Sequence, residues 1–232
     1  MPQTAQSPRR SYAHAPRLAQ TSLADTPLAD TRLADTRLAD TAPLDLRDLF
    51  ASQGAARPTV ELEIGCARGG FLLERLVSEP AVHLVGLEIR SKAATLAWEK
   101  IQQMGHADRC RVFCEDARQV LPRLPSQSVA RVFIHFPDPW WKKRHGKRRL
   151  ASLELLSQVA RVLQPAGQLL IQTDVSDLAQ AFLQAAEAEP NLKPCAASVL
   201  VDHNPFEARS PREKQATADG LPIFRLYYCR AP

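Results

Sequence analysis

The residues that could do chemistry are concentrated between residues 136 and 149, where a Pro-Asp-Pro turn precedes two tryptophans and a basic run. The two prolines fix φ on both sides of Asp138 and restrict the position of its carboxylate. Trp140 and Trp141 offer faces on which a base can stack, although either one could equally be structural. The basic run, residues 142–149, could bind phosphate. This combination predicts a site that holds and modifies a nucleobase.

Three acidic residues come at the ends of successive predicted strands, namely Glu63, Glu88 and Asp116. Glu63 would repel a pyrophosphate but suits a cation, such as the amino group or sulfonium side of S-adenosylmethionine. Glu88 could accept both hydroxyls of a ribose, and Asp116 could accept the amino group of adenine. Each acid alone could equally be a surface or capping residue, but three at successive strand ends predict a site for S-adenosylmethionine.

A glycine turn, Gly65-Cys-Ala-Arg-Gly69, joins the first predicted strand to a helix. Gly65 and Gly69 allow a tight turn and close approach of a ligand, and we assign both to the cofactor site. A dinucleotide-dependent oxidoreductase would share the turn and the acid at Glu88, but it requires the spacing G-x-G-x-x-G. The observed spacing and Glu63 therefore favour methyl transfer over hydride transfer.

The elements that must position these residues alternate between strands and helices from residue 59 onward. The pattern predicts strands at 59–64, 82–89, 111–114, 129–136 and 168–173, and a closing strand pair at 196–201 and 223–229. It predicts helices at 69–77, 92–104, 149–163 and 175–188, and a turn at 165–167. Such alternation predicts a mostly parallel sheet with helices on both faces and ligands beyond the carboxyl ends of its strands. The fourth strand would lie beside the first, which brings Asp138 to the reactive end of the cofactor.

The composition favours a basic protein of the cytoplasm with an anionic partner. The 232 residues carry a formal charge of +5, and their apolar runs are too short to span a membrane. The five cysteines include no C-x-x-C pair, so we expect reduced thiols, with neither disulfides nor a metal site. The sequence does not distinguish a monomer from a homodimer.

The N-terminal region repeats the unit Leu-Ala-Asp-Thr with a period of five between residues 18 and 41. This period places the leucines on no common face of a helix or a strand. We therefore predict that residues 1–42 are a disordered low-complexity tail, that residues 43–232 form the methyltransferase domain, and that deletion of the tail leaves activity intact.

Several motifs together resemble those of the bacterial tRNA (guanine-N7)-methyltransferase family, and the resemblance runs from about residue 58 to residue 230. The matching segments are Leu62-Glu-Ile-Gly-Cys66, Gly86-Leu-Glu-Ile89, Asp116-Ala117, Phe136-Pro-Asp-Pro-Trp140, Lys142-Lys-Arg-His145, Lys147-Arg-Arg149 and Gln172-Thr-Asp174. The resemblance implies the Rossmann-like class I methyltransferase fold, with a mostly parallel seven-stranded sheet, an antiparallel C-terminal strand and helices on both faces. It further implies methyl transfer from S-adenosylmethionine to guanine N7 at position 46 in the variable loop of tRNA.

The resemblance also implies roles for individual residues. Glu63, Glu88, Asp116 and Asp138 would line the cofactor, Asp138 would also be catalytic, and Lys142 and Asp174 would contact the substrate. A Thr-x-x-Glu segment of the family is matched by Ser210-Pro-Arg-Glu213, which we assign to substrate binding, although Pro211 changes the backbone. Ala67 stands where the family usually has glycine, and we expect this to cost little provided that φ at Ala67 is negative.

Two other functions are consistent with parts of the pattern. A methyltransferase acting on an exocyclic amine uses Asp-Pro-Pro-aromatic loops at the same strand end, but the order here is Pro-Asp-Pro-Trp followed by basic residues. A catalytically silent RNA-binding module would not need the three strand-end acids. Asp138 could stabilise the cationic ring of the product or accept hydrogen bonds from guanine N1–H and N2–H. We assign neither His135 nor His145 to catalysis.

Overall fold

The computed structural model of the chain describes residue 38 and residues 44–50, 57–139 and 150–232. Seven strands of this part form one sheet in the order β3-β2-β1-β4-β5-β7-β6. Its strands are β1 Val60–Ile64, β2 His83–Leu87, β3 Cys110–Phe113, β4 Val129–His135, β5 Leu163–Thr173, β6 Leu192–Pro194 and β7 Phe224–Arg230. Strand β7 pairs antiparallel with both β5 and β6, whereas the other pairs are parallel. The predicted fold class is confirmed.

Helices follow most of the parallel strands and pack against the sheet. They are α1 Gly70–Ser78, α2 Ser91–Gln103, α3 Ala117–Val120, α4 Leu153–Val162, α5 Ser176–Glu187 and α6 Pro211–Ala218, with short 3-10 helices at Leu46–Leu49 and Leu121–Arg123. The predicted helix at 149–163 begins at Leu153, because Ser152 caps it by accepting the Leu155 N–H at 3.2 Å. Residue 149 lies outside the described residues.

Strand β1 is buried at every position, yet its two faces differ in chemistry. Val60, Leu62 and Ile64 belong to the main apolar cluster, and the alternating side chains of Glu61 and Glu63 point to the opposite face. Glu61 accepts two hydrogen bonds of 2.9 Å from the buried guanidinium of Arg75 on α1, and a third from Arg131 on β4. This cluster of charges ties α1 to the sheet below the site.

Two predicted segments at the C-terminal half differ from the structure. The turn expected at 165–167 lies inside β5, where the register with β4 shifts between Val129 and Arg131 and Ala166 has φ 59°. The expected strand at 196–201 is wrong, since only Leu200 makes a bridge, to Leu226. The edge strand is instead Leu192–Pro194, which suits a proline because an edge position needs no amide donor.

The cysteine prediction is also corrected. A disulfide joins Cys195 to Cys229, whose Cα atoms are 4.9 Å apart where β6 and β7 pair at the edge of the sheet. The two residues are 34 positions apart in the sequence, so only the strand pairing brings them together. Burial raises the pKa of the Cys66 and Cys110 thiols, which lie in the core.

One leucine of the repeat, Leu38, belongs to the described part of the chain. Its side chain is buried against the main apolar cluster, and its N–H donates to Glu115 Oε1 at 3.3 Å. The rest of the predicted disordered tail lies outside the described residues. The helices that the structure describes are all too short or too polar to cross a lipid bilayer.

Candidate active site

A cavity of about 860 Å³ opens beyond the carboxyl ends of the parallel strands. This volume is in the range of ligand pockets, roughly 300–1,000 Å³. The structure brings most of the predicted site residues to its wall, namely Glu63, Gly65, Glu88, Asp116, Asp138, Asp174 and Ser210. Of the others, Gly69 and Glu213 lie outside the lining, and Lys142 lies outside the described residues together with the whole basic run.

The two predicted glycines serve the turn in different ways. Gly65 has φ 80°, and a Cβ there would meet nothing within 4 Å, so its position next to the cavity is open. Gly69 has φ 71° and is the N-cap of α1, and a Cβ there would lie 3.2 Å from Ala97 Cβ of α2. Gly65 therefore borders the ligand space, while Gly69 allows close packing of α1 against α2.

Ala67, between these glycines, has φ 49°, so the condition of a negative φ is not met. The left-handed region costs a residue with a Cβ about 1–2 kcal/mol. The turn tolerates this strain because the Ala67 N–H donates to Glu88 Oε2 at 3.0 Å.

Glu63 is buried at the floor of the cavity beside His135, the last residue of β4. Its Oε1 lies 2.9 Å from His135 Nδ1, and burial raises the pKa of the Glu63 carboxyl despite this hydrogen bond. In the described part of the chain, Glu63 Oε2 and His135 Nε2 are buried without a hydrogen-bond partner. The floor thus carries two unpaired polar atoms. His135 could not be assigned from the sequence, because a lone histidine at a strand end has no distinguishing spacing.

Glu88, at the end of β2, forms the wall next to the glycine turn. Its Oε1 accepts from the N–H and Nε of Arg90, at 2.9 and 3.0 Å, and its Oε2 accepts from Ala67. The side-chain hydrogen bonds that Arg90 donates to Glu88, the charge of Glu88 and the nearby charge of Asp138 raise the pKa of Arg90. Since the Arg90 side chain is 61% exposed, it can leave Glu88 without a large burial cost.

Asp116 repeats this arrangement at the N-terminus of α3. Its Oδ1 accepts the Arg118 N–H at 3.0 Å as an N-cap and also accepts Arg118 Nε at 2.9 Å. Burial opposes ionisation, but the hydrogen bonds from Arg118 hold the pKa of Asp116 below its ordinary value. Asp116 therefore presents a charged acceptor to the cavity.

The loop after β4 turns sharply at Phe136. This residue has φ 46°, a conformation that is rare for a bulky side chain, and its N–H donates to Gln172 O at 2.7 Å. The turn directs Pro137, Asp138 and Pro139 over the cavity, where Asp138 is exposed to solvent. Asp138 thus lies at the mouth, on the same side as Arg90.

Another part of the wall combines the end of β5 with the start of α6. Asp174 lines the cavity and forms an ion pair with Arg212, a residue that the sequence did not single out. Ser210 caps α6 by accepting the Glu213 N–H at 3.1 Å, and Pro211 occupies the first helical turn, where proline is well tolerated. The cap therefore forms despite the proline, and contact of Ser210 with a substrate stays a prediction.

Glu213 lies behind this wall and is 1% exposed. Its Oε1 accepts from Nε and a terminal nitrogen of Arg225 on β7, at 3.3 and 3.1 Å, and its Oε2 accepts from Asn204 at 2.9 Å. These contacts hold α6 against the sheet. Contact of Glu213 with a substrate stays a prediction.

The sheet order, with its antiparallel β7 and a ligand cavity at the strand ends, defines the class I methyltransferase fold. A solved structure of geranyl diphosphate C-methyltransferase from Streptomyces coelicolor has a similar fold, with a TM-score of 0.51 and 14% identity over 79% of this chain and 75% of that one. That structure contains S-adenosyl-L-homocysteine, Mg2+ and geranyl diphosphate.

The sequence comparisons are more specific than the fold. Residues 57–226 match a family model described as "Putative methyltransferase". The tRNA (guanine-N(7)-)-methyltransferase of Trichormus variabilis is 31% identical over 81% of this chain and 87% of its own length, and that of Microcystis aeruginosa is 32% identical over 81% and 89%. The chain belongs to the tRNA (guanine-N7)-methyltransferase family, which confirms the resemblance found in the sequence.

Proposed function

We propose that this protein transfers a methyl group from S-adenosylmethionine to N7 of guanine 46 in the variable loop of tRNA. The observation that carries the proposal is the cavity itself, whose lining combines Glu63, Glu88 and Asp116 with Asp138 of the loop after β4. Family membership supports the substrate, since the relatives are named for this reaction.

The residues present fit S-adenosylmethionine. Glu63 Oε2 is a buried acceptor without a partner in the described part of the chain, as a cationic ammonium requires. Glu88 would hold the ribose hydroxyls once Arg90 moves aside, and Asp116 would accept the adenine amino group. The open space at Gly65 lets the backbone border the ligand. When bound, the cofactor supplies an electrophilic methyl group on a sulfonium.

The protein contributes position and charge to the reaction. Guanine N7 has a free lone pair, so no proton must leave before the methyl group is transferred, and alignment of the two partners should dominate the rate. The product ring is cationic. We assign to Asp138 the stabilisation of this charge, because its carboxylate lies at the mouth and acts on the cationic group of Arg90.

The rim of the cavity is suited to an anionic substrate. Arg68, Arg90, Lys92 and Lys100 are exposed and line it. These cations would attract the phosphates of tRNA in addition to the predicted basic run that starts at Lys142. We infer that the protein acts in the cytoplasm, where such a substrate is found. Contact of Lys142 with tRNA stays a prediction.

The proposed activity is tested with unmodified tRNA and labelled S-adenosylmethionine. After incubation, borohydride and aniline treatment cleaves the RNA chain at N7-methylguanosine. We expect label in the tRNA and a single cut in the variable loop. Label without a cut would reject the N7 position and favour an exocyclic amine, and cofactor binding without label in any tRNA would reject tRNA as the substrate.

A further inference from the structure

Glu63, His135 and Gln172 form a row of buried polar side chains across the carboxyl ends of β1, β4 and β5. Glu63 pairs in register with Phe133, and His135, two residues later, pairs with Gln172. Residues paired in register, and residues two apart on one strand, project to the same face of a sheet. The three polar side chains therefore share one face, above Phe133.

The hydrogen bonding of this row is incomplete. Glu63 Oε1 and His135 Nδ1 satisfy each other at 2.9 Å. In the described residues, Glu63 Oε2, His135 Nε2 and the amide of Gln172 have no partner although they are buried. Glu63 and His135 line the cavity, whereas Gln172 does not. Because buried polar atoms are nearly always hydrogen-bonded, the two atoms at the cavity floor indicate a polar group of the ligand.

The histidine ring is held in place by aromatic packing. Its centroid lies 4.2 Å from that of Phe71 on α1 and 5.8 Å from that of Phe133. If Nδ1 donates its proton to Glu63, then Nε2 carries a lone pair. The floor then offers two acceptors, Glu63 Oε2 and His135 Nε2, and no donor. An ammonium group, which has three donors and no acceptor, is complementary to Glu63 Oε2, and His135 Nδ1 orients the carboxylate that carries this oxygen.

We propose that His135 is a positioning residue that holds Glu63 Oε1 so that Glu63 Oε2 binds the α-ammonium of the amino-acid part of S-adenosylmethionine. The inference rests on the proposed cofactor. Glu63, Glu88 and Asp116 keep the roles proposed above, and the inference adds His135 as the residue that orients Glu63. The pair thus distinguishes the cofactor from adenosine derivatives that lack the ammonium.

Two ligands distinguish binding of the amino-acid end from binding of the adenosine end. S-adenosylhomocysteine contains the ammonium, whereas 5′-methylthioadenosine has the same adenosine and sulfur without the amino-acid chain. His135→Phe preserves the aromatic packing but removes the hydrogen bond to Glu63. We expect calorimetry on the full chain to show S-adenosylhomocysteine affinity reduced about tenfold or more and 5′-methylthioadenosine affinity changed less than about twofold.

Three further variants complete the test. His135→Asn retains a donor for Glu63 and should keep S-adenosylhomocysteine affinity within about threefold of wild type. Glu63→Gln should reproduce the ligand-selective loss even if His135→Phe fails to fold, and Glu88→Gln should weaken both ligands. Equal losses for both ligands in Glu63→Gln, or no loss in His135→Phe, would overturn the inference. Failure of the wild-type protein to bind either ligand would instead reject the proposed function.

Discussion

Glu61 and Glu63 are two residues apart on β1 and point to the same face, yet replacement of each by glutamine should change a different property of the protein. Glu61 is fully buried and bonds the guanidiniums of Arg75 and Arg131. Glu63 is also buried, but one of its oxygens has no partner in the described residues. We predict that Glu61→Gln mainly destabilises the fold, whereas Glu63→Gln mainly weakens cofactor binding.

The loss of stability in Glu61→Gln follows from the buried positive charge of Arg75, which the substitution leaves without its partner. The Arg75 side chain is 5% exposed, so Glu61→Gln leaves a buried guanidinium without its hydrogen-bonded carboxylate. Removal of one partner of a buried ion pair costs about 3–5 kcal/mol. With an m-value of about 2–3 kcal/mol/M, urea unfolding should show a midpoint lowered by roughly 1–2.5 M.

Glu63→Gln, in contrast, should reduce the stability of the folded state little. Burial raises the pKa of this carboxyl above its ordinary value of 4.5, so the folded chain holds the proton more tightly than the unfolded chain. The stability of the wild-type protein should therefore fall as the pH rises from the unfolded pKa through the higher folded pKa. Glu63→Gln does not titrate, so it should be at least as stable as wild type at pH 8, with a smaller advantage at pH 4.5.

In S-adenosylhomocysteine binding, Glu63→Gln should show the larger loss of the two variants. The hydrogen bond of a charged group contributes about 1.5–3 kcal/mol, so Glu63→Gln should weaken S-adenosylhomocysteine binding about 10- to 150-fold. Glu61→Gln, measured well below its unfolding midpoint, should bind within about threefold of wild type. Equal urea midpoints for the two variants, or a larger binding loss in Glu61→Gln, would refute the division of roles.

Three other substitutions test separate parts of the structure. Asp138→Ala should abolish methyl transfer while changing tRNA affinity little, because its carboxylate acts on the reacting charge; near-normal turnover would contradict this role. Ala67→Gly should raise the free energy of unfolding by up to about 1 kcal/mol in a urea titration, since relief of the positive φ exceeds the entropy lost by glycine. Cys195→Ser should cost about 3–4 kcal/mol relative to the oxidised protein, because the disulfide closes a separation of 34 residues. After reduction the two proteins should unfold alike, and a persistent difference would show that the disulfide is not the cause.

The alternation of strands and helices, and the acids at strand ends, could be predicted without the structure. Parallel strands joined by helices place all their carboxyl ends at one edge, so Glu63, Glu88 and Asp116 had to lie near one another. The edge strand could not be predicted in the same way. The apolar segment 196–201 has a suitable composition, but Glu189 accepts the Asn191 N–H at 3.1 Å and turns the chain directly into Leu192–Pro194.

The sequence by itself determined the fold class, the family and the carboxylates that line the cavity, because these depend on local periodicity and on motifs of fixed spacing. Only the tertiary structure decided which side chains share a hydrogen bond across strands. The pairs Glu63–His135, Asp174–Arg212 and Cys195–Cys229 are 72, 38 and 34 residues apart. Each depends on how elements that are distant in the chain pack against one another, and a pattern within one segment does not determine that packing.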